Sequence, residues 1–208
     1  MAKRKQLKIS RDIFKEIKYK INRKDNREKV IEFETALRKL IKDYDTSNWE
    51  NRFVVGGALE VLFCSLLNSL GFKCIWLREA RYDLNINDIE FSLKSNFTGS
   101  GDIRLINVLG DKEVKWDEPT LFFISDIGVC YVDPKMNIET SYKGDALTIK
   151  TKDIIAFVDK DKNWLLNIKI PRKSQNPERI KTASYSIAKS ILEDINSKHL
   201  KVNMPPEN

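Results

Sequence analysis

Asp83, Ser92 and Lys94 have the spacing in this chain that points to chemistry. They lie in Arg81-Tyr-Asp-Leu-Asn-Ile-Asn-Asp-Ile-Glu-Phe-Ser-Leu-Lys-Ser95, which reads as a β-hairpin about a two-residue Asn87-Asp88 turn. Successive strand side chains alternate between faces, so Tyr82, Leu84, Ile86, Ile89, Phe91 and Leu93 share one side. Arg81, Asp83, Asn85, Glu90, Ser92 and Lys94 share the other. Asp83 then stands opposite Ser92, with Lys94 one step along the same face. An acid beside an amine can hold a divalent cation, orient a water and offset developing negative charge, which is what phosphodiester hydrolysis requires. A solvated hairpin face also carries alternating Asp, Glu and Lys, so the hairpin alone leaves both readings open.

The rest of the composition narrows the chemistry. The chain has a single histidine, His199, which excludes a two-histidine nuclease, a zinc finger and a Ser-His-Asp triad. Hydrolysis would have to run on carboxylates, lysine and a metal ion. Glu60 is the one charged residue between Arg52 and Lys73. Leaving even a neutral polar group buried without a partner costs about 2–7 kcal/mol, so a buried Glu60 requires a cation, a metal or a water-filled cleft. The alternative is an exposed stripe on an otherwise buried helix.

Helices are expected at Ser10–Ile21 and Asp25–Tyr44, with Ser10 and Asp25 as caps, and at Val54–Leu70, closed by Gly71. Lys73–Leu77 reads as a strand leading to the hairpin. Ser95–Asp102 reads as a small polar loop; Gly99 and Gly101 lack the Lys and Ser/Thr of a P-loop. Strands follow at Ile103–Leu109 and, punctuated by Asp126 and Gly128, twice between Thr120 and Val132. Ala146–Val158 and Trp164–Ile170 hold further strands or a short helix. A final helix covers Glu178–Ile195, and a frayed tail follows Lys198.

At 208 residues, with 41% hydrophobic and 32% charged residues, one globular domain is expected. It divides into a basic helical arm (1–46), a core (53–170), a C-terminal helix (178–197) and a tail (198–208). The net charge of +7, concentrated in the first helices and around Arg172 to Lys189, suits a polyanion such as nucleic acid, although Lys-rich helix faces are often just solvated. Three cysteines at no metal-ligand spacing, Cys64, Cys74 and Cys130, fit a reducing cytoplasm. No apolar signal segment or membrane span is expected.

A helix with a Glu, a strand, and then Asp-x₈-Ser-x-Lys on a hairpin resembles the PD-(D/E)xK nuclease superfamily, which includes the type II restriction endonucleases. The resemblance covers roughly Val54 to Ser95. It implies an α/β restriction-endonuclease-like core, a central mixed sheet flanked by helices, here with a basic helical segment at the N-terminus. Residue by residue, it implies Asp83 as the metal-binding aspartate, Lys94 as the water-orienting lysine and the Leu93 carbonyl as a further metal ligand. Ser92 stands where the family has an acid. Glu60 is the candidate replacement, and Glu90, on the same hairpin face, is its rival. Phe91-Ser-Leu-Lys-Ser95 followed by Gly101-Asp-Ile-Arg-Leu-Ile-Asn107 further resembles the ScaI-like group of restriction enzymes.

The resemblance implies Mg²⁺-dependent cleavage of double-stranded DNA at a short palindrome by a cytoplasmic homodimer, alongside a companion DNA methyltransferase. Asn96, Ser100, Arg104 and Arg172 are the DNA-contact candidates, chosen by position. A structure-selective phage or repair nuclease of the same fold and a non-catalytic DNA-binding protein are the alternatives.

Overall fold

The computed structural model describes residues 2–44, 49–77, 82–107, 115–172 and 184–202. In chain order the elements are α1 (Ala2–Ile21), α2 (Arg27–Asp43), α3 (Trp49–Ser69), β1 (Cys74–Trp76), β2 (Leu84–Ile86), β3 (Ile89–Asn96), β4 (Asp102–Asn107), β5 (Thr120–Ile124), β6 (Gly128–Val132), β7 (Thr140–Lys143), β8 (Ala146–Lys150), α4 (Thr151–Lys160), β9 (Leu165–Leu166) and α5 (Ser184–Asp194). Short 3₁₀ turns at 24–26 and 162–164 precede α2 and β9.

The main sheet is mixed and runs β1-β2-β3-β5-β6-β9; β3 and β5 are parallel, while its other neighbours are antiparallel. The crossover from β3 to β5 contributes β4 to a second, antiparallel sheet, β4-β8-β7. The fold is therefore α/β, with a central mixed sheet flanked by helices.

Two apolar layers enclose the main sheet. On one face Leu121, Phe123, Val129 and Tyr131 pack with residues of α1, α2, α3 and α5. On the other, Phe122, Ile124, Cys130 and Val132 pack with the small sheet and α4. Burial on both sides explains why Thr120–Val132 reads as a nearly unbroken apolar run rather than an alternation. Helix α3 is buried around most of its circumference, from Val55 to Leu67, which is why its sequence lacks a single apolar stripe. Helices α1 and α2 send Phe14, Ile17, Phe33, Leu37 and Leu40 into the same core, and their Lys and Arg side chains cover the outside.

The hairpin forms in the register that the alternation predicts: Leu84 faces Phe91, Asn85 faces Glu90 and Ile86 faces Ile89. Asn87 and Asp88 take φ of 50° and 66°, the left-handed pair that a tight hairpin turn requires and that Asn and Asp tolerate best after Gly. Gly71, at φ +85°, ends α3 as expected, and the Phe72 N–H reaches back to the Leu67 carbonyl.

Several boundaries differ from expectation. Helix α1 starts near Ala2, because the Lys-rich segment before Ser10 is a good helix former and Leu7 adds an apolar contact. Ser10 is therefore no cap: it is buried mid-helix, bonded to the Leu7 carbonyl and sharing a 2.7 Å hydrogen bond with the Tyr131 hydroxyl. Asp25 sits in the 3₁₀ turn on Arg23, and Asn26 occupies the cap position of α2. Strand β3 runs on to Asn96, so the polar loop is shorter than expected. The polar strand β7 went unforeseen, and 146–158 divides into β8 and most of α4. Beyond Lys198 the chain is held, with Leu200 buried and the Glu32 carboxylate accepting from Ser197, Lys198, His199 and Leu200. Of the stretches read from the sequence, Arg78–Arg81, Val108–Leu109, Glu178–Ala183 and the chain after Val202 lie outside the described residues.

Candidate active site

The site forms where β2 gives way to a bend and β3 continues beyond it. Asp83 immediately precedes β2, its N–H donating to the Phe91 carbonyl and its carbonyl accepting from the Leu77 N–H, and its carboxylate turns onto β3. Oδ2 accepts the Leu93 N–H at 2.5 Å and the Ser92 hydroxyl at 3.1 Å, and Lys94 Nζ lies 3.7 Å from it. Three groups of the Ser92-Leu93-Lys94 step thus converge on one oxygen. Among the described residues nothing binds Oδ1. Asp83 keeps 18% and Lys94 27% of their side-chain surface exposed, enough to meet a ligand while remaining positioned.

Main-chain geometry adds a further donor. In a strand the N–H and C=O of one residue leave on the same edge. The Leu93 N–H reaches Asp83, so its carbonyl faces the Asp83 side as well, whereas the Ser92 N–H is turned the other way, onto the Pro119 carbonyl.

Helix α3 supplies the second acid. Glu60 is only partly solvent-accessible, and Trp76 Nε1 of β1 donates a 2.8 Å hydrogen bond to its Oε2. Burial first and the neighbouring Asp83 charge second push the Glu60 carboxyl up to about 8, the Trp76 hydrogen bond and Lys94 offsetting part of the rise. The Glu60 carboxyl thus lies within electrostatic range of both Asp83 and Lys94. Among the described residues one ammonium, that of Lys94, acts on the two carboxyl groups.

This donor set suits a hard divalent cation: two carboxylates and one main-chain carbonyl, all oxygen. Among the described residues no three His, Cys, Asp or Glu side chains come together as a metal site, so the third protein ligand would be the Leu93 carbonyl. A bound cation would relieve the repulsion between the Glu60 and Asp83 carboxylates.

The remaining sequence candidates fall elsewhere. Glu90 lies across from Asn85, nearer the turn, and does not contribute to the electrostatics of Glu60. Ser92 is buried, holding Asp83 rather than supplying an acid. Asn96 is buried and shapes its own loop, donating to the Ser100 carbonyl and Thr151 and accepting from Thr98 and Gly99. Ser100 is exposed in that loop. Arg104 pairs with Asp145 and Arg172 with Asp126, both at the surface. Trp76 is the functional residue that sequence reasoning missed. The available signal was a tryptophan in a short strand next to a helix whose one acid required a donor.

No protein-family model matches the chain, and no curated protein or solved structure is significantly similar to it.

Proposed function

We propose that the protein is a Mg²⁺-dependent endodeoxyribonuclease with a restriction-endonuclease-like core. The observation that supports this reading is that Glu60 of α3 lies within electrostatic range of Asp83 and Lys94 of the hairpin, which are themselves 3.7 Å apart. A solvated hairpin face gives no reason for a buried helix to direct its one carboxylate there.

Asp83, Glu60 and the Leu93 carbonyl would hold Mg²⁺. When bound, the ion supplies Lewis-acid polarisation of the phosphate and a water acidic enough to attack near neutral pH. The chain's own groups do the rest. Lys94 donates a hydrogen bond that orients the attacking water and places positive charge beside the phosphoryl oxygens. Ser92 and the Leu93 N–H fix Asp83, and Trp76 fixes Glu60. The water oxygen forms the new bond to phosphorus as it gives up a proton to solvent, the phosphodiester P–O bond breaks, and the leaving oxygen takes up a proton from solvent.

Double-stranded DNA is the proposed substrate, cut at a short palindrome by a homodimer that acts as a restriction enzyme with a companion methyltransferase. The +7 charge is consistent with such a partner. The decisive experiment incubates plasmid DNA with Mg²⁺ and wild-type or Lys94→Ala protein. Defined fragments from the wild type alone, with DNA affinity in EDTA equal for both, support the restriction reading. Cutting confined to branched or nicked DNA transfers the proposal to a structure-selective nuclease. DNA binding without cleavage under any condition leaves a non-catalytic DNA-binding protein.

A further inference from the structure

The last turns of α1 and the 3₁₀ turn after α4 enclose an open groove of about 370 Å³, lined by Lys15, Lys18, Tyr19, Asn22, Arg23 and Asn163. Three cations, two amides and a phenol face it, and no carboxylate does. Of the acids nearby, Asp161 caps its own turn, Asp159 pairs with Lys162 and Glu16 with Lys20, while Asp25 holds one edge of the Arg23 guanidinium in a bidentate pair and so already balances that groove cation. Lys15 and Lys18 have no carboxylate partner among the described residues. The Lys15 ammonium lies 5.5 Å from the centre of the Trp164 ring, and Lys18 donates to the Lys162 carbonyl. Both are held in place with their charge intact.

Tyr19 is 65% exposed. A single exposed aromatic is ordinary, but this one stands one helical turn from Lys15, about 6 Å along the axis, and next to Lys18 in the chain, with Arg23 just past the end of α1 on the far side. Unpaired ammonium groups beside an exposed aromatic ring match the phosphate and base of a single-stranded nucleotide. A tyrosine can stack only on a base whose face is free, and in a duplex neighbouring bases cover those faces. The groove is also of single-nucleotide size, far smaller than a duplex.

We propose that this groove binds one unpaired nucleotide of a DNA strand, its phosphate on Lys15 and Lys18 and its base against Tyr19, with Asn22 and Asn163 placed to meet the base edge. The inference rests on nucleic acid as the partner, and it would direct the protein to frayed, flapped or displaced strands.

The test measures binding in EDTA, without cleavage, of a short labelled single strand and of the blunt duplex of the same sequence. Wild type should prefer the single strand. Tyr19→Ala should weaken single-strand binding about tenfold and leave duplex binding unchanged. Lys15→Ala/Lys18→Ala should lower the salt dependence of single-strand binding by roughly one to two ions. All three positions are on the surface, and an unchanged urea midpoint verifies the fold. Equal losses for strand and duplex would overturn the proposal in favour of general charge attraction. Full competition by a free nucleoside monophosphate at equal concentration would also overturn it, and so would unchanged binding in both variants. Failure of Lys94-dependent cleavage leaves these binding results unaffected, so the two readings fall separately.

Discussion

Trp76 Nε1 donates a 2.8 Å hydrogen bond to Glu60 Oε2, and through it an edge strand fixes the direction of a helix carboxylate. The same helix face continues at Cys64 and Asn68, one turn apart. Asn68 binds the Cys74 N–H at 2.9 Å and the Cys74 carbonyl at 3.0 Å. Helix α3 and strand β1 are therefore docked at two levels, and Glu60 is held toward Asp83 by the upper one. An acid so constrained cannot swing to water to lower the cost of its burial, which is the source of its raised proton affinity.

That affinity has a consequence for stability. Burial, together with the Asp83 charge, moves the Glu60 carboxyl from an ordinary 4.5 to about 8. Between those values the folded protein holds a proton that the unfolded chain has released, so stability falls as pH rises through this window and then levels off. The metal-free protein should have its highest Tm near the lower end of the window. Glu60→Gln keeps an acceptor for Trp76 and has nothing to titrate, so this part of the decline should vanish. Mg²⁺ should raise Tm more near the top of the window, where it no longer competes with the proton. Circular dichroism melts across the range decide the matter. Parallel pH profiles for wild type and variant would remove Glu60 as the titrating group.

The two candidate acids separate by activity. Glu60→Gln should reduce plasmid cleavage by about a hundredfold or more, since disturbing even an outer partner of a metal ligand acts on the scale of 10–100-fold. Glu90→Gln should cut close to the wild-type rate, because its carboxylate sits beside Asn85 and away from the pair. Ser92→Ala removes one 3.1 Å bond to Asp83, and about 1 kcal/mol of stability, while leaving the Leu93 N–H in place and much of the activity with it. Initial rates under saturating Mg²⁺ provide the comparison. The reverse ranking of Glu60 and Glu90 would move the second acid to the hairpin.

The hairpin was legible in the sequence because a period of two and an Asn-Asp turn determine faces and register without help from the rest of the fold. The approach of Glu60 was legible only as a requirement, since a lone acid in an apolar helix demands a partner but does not name it. Trp76 was legible only as a possible donor near such an acid, because the pairing is made across elements, and helix periodicity says nothing about what a neighbouring strand offers. Ser10 was misread for a related reason. A Ser before an apolar periodic run resembles a cap, yet its hydroxyl is used by Tyr131 of β6, a contact that exists only after packing. Strand β7 escaped notice because an exposed, polar edge strand has no apolar face to betray it.

The N-terminal helix should prove indispensable to the fold, and Arg11 is where to test it. Asp133 at the end of β6 is fully buried and accepts two guanidinium bonds from Arg11, at 2.6 and 2.8 Å, with further bonds from the Tyr131 hydroxyl and the Lys135 N–H. Removing one member of a buried pair strands the other charge, at a cost of about 3–5 kcal/mol. Arg11→Ala should lie near the lower figure, because the two remaining hydrogen bonds still serve Asp133. Asp133→Asn should cost less, since the charge it strands is Arg11, whose side chain is 32% exposed and can turn to water. Urea unfolding should show this order, and added salt should leave the difference nearly unchanged because the buried carboxylate is poorly screened. Equal midpoints for wild type and Arg11→Ala would mean that α1 rests on the sheet by its apolar face alone.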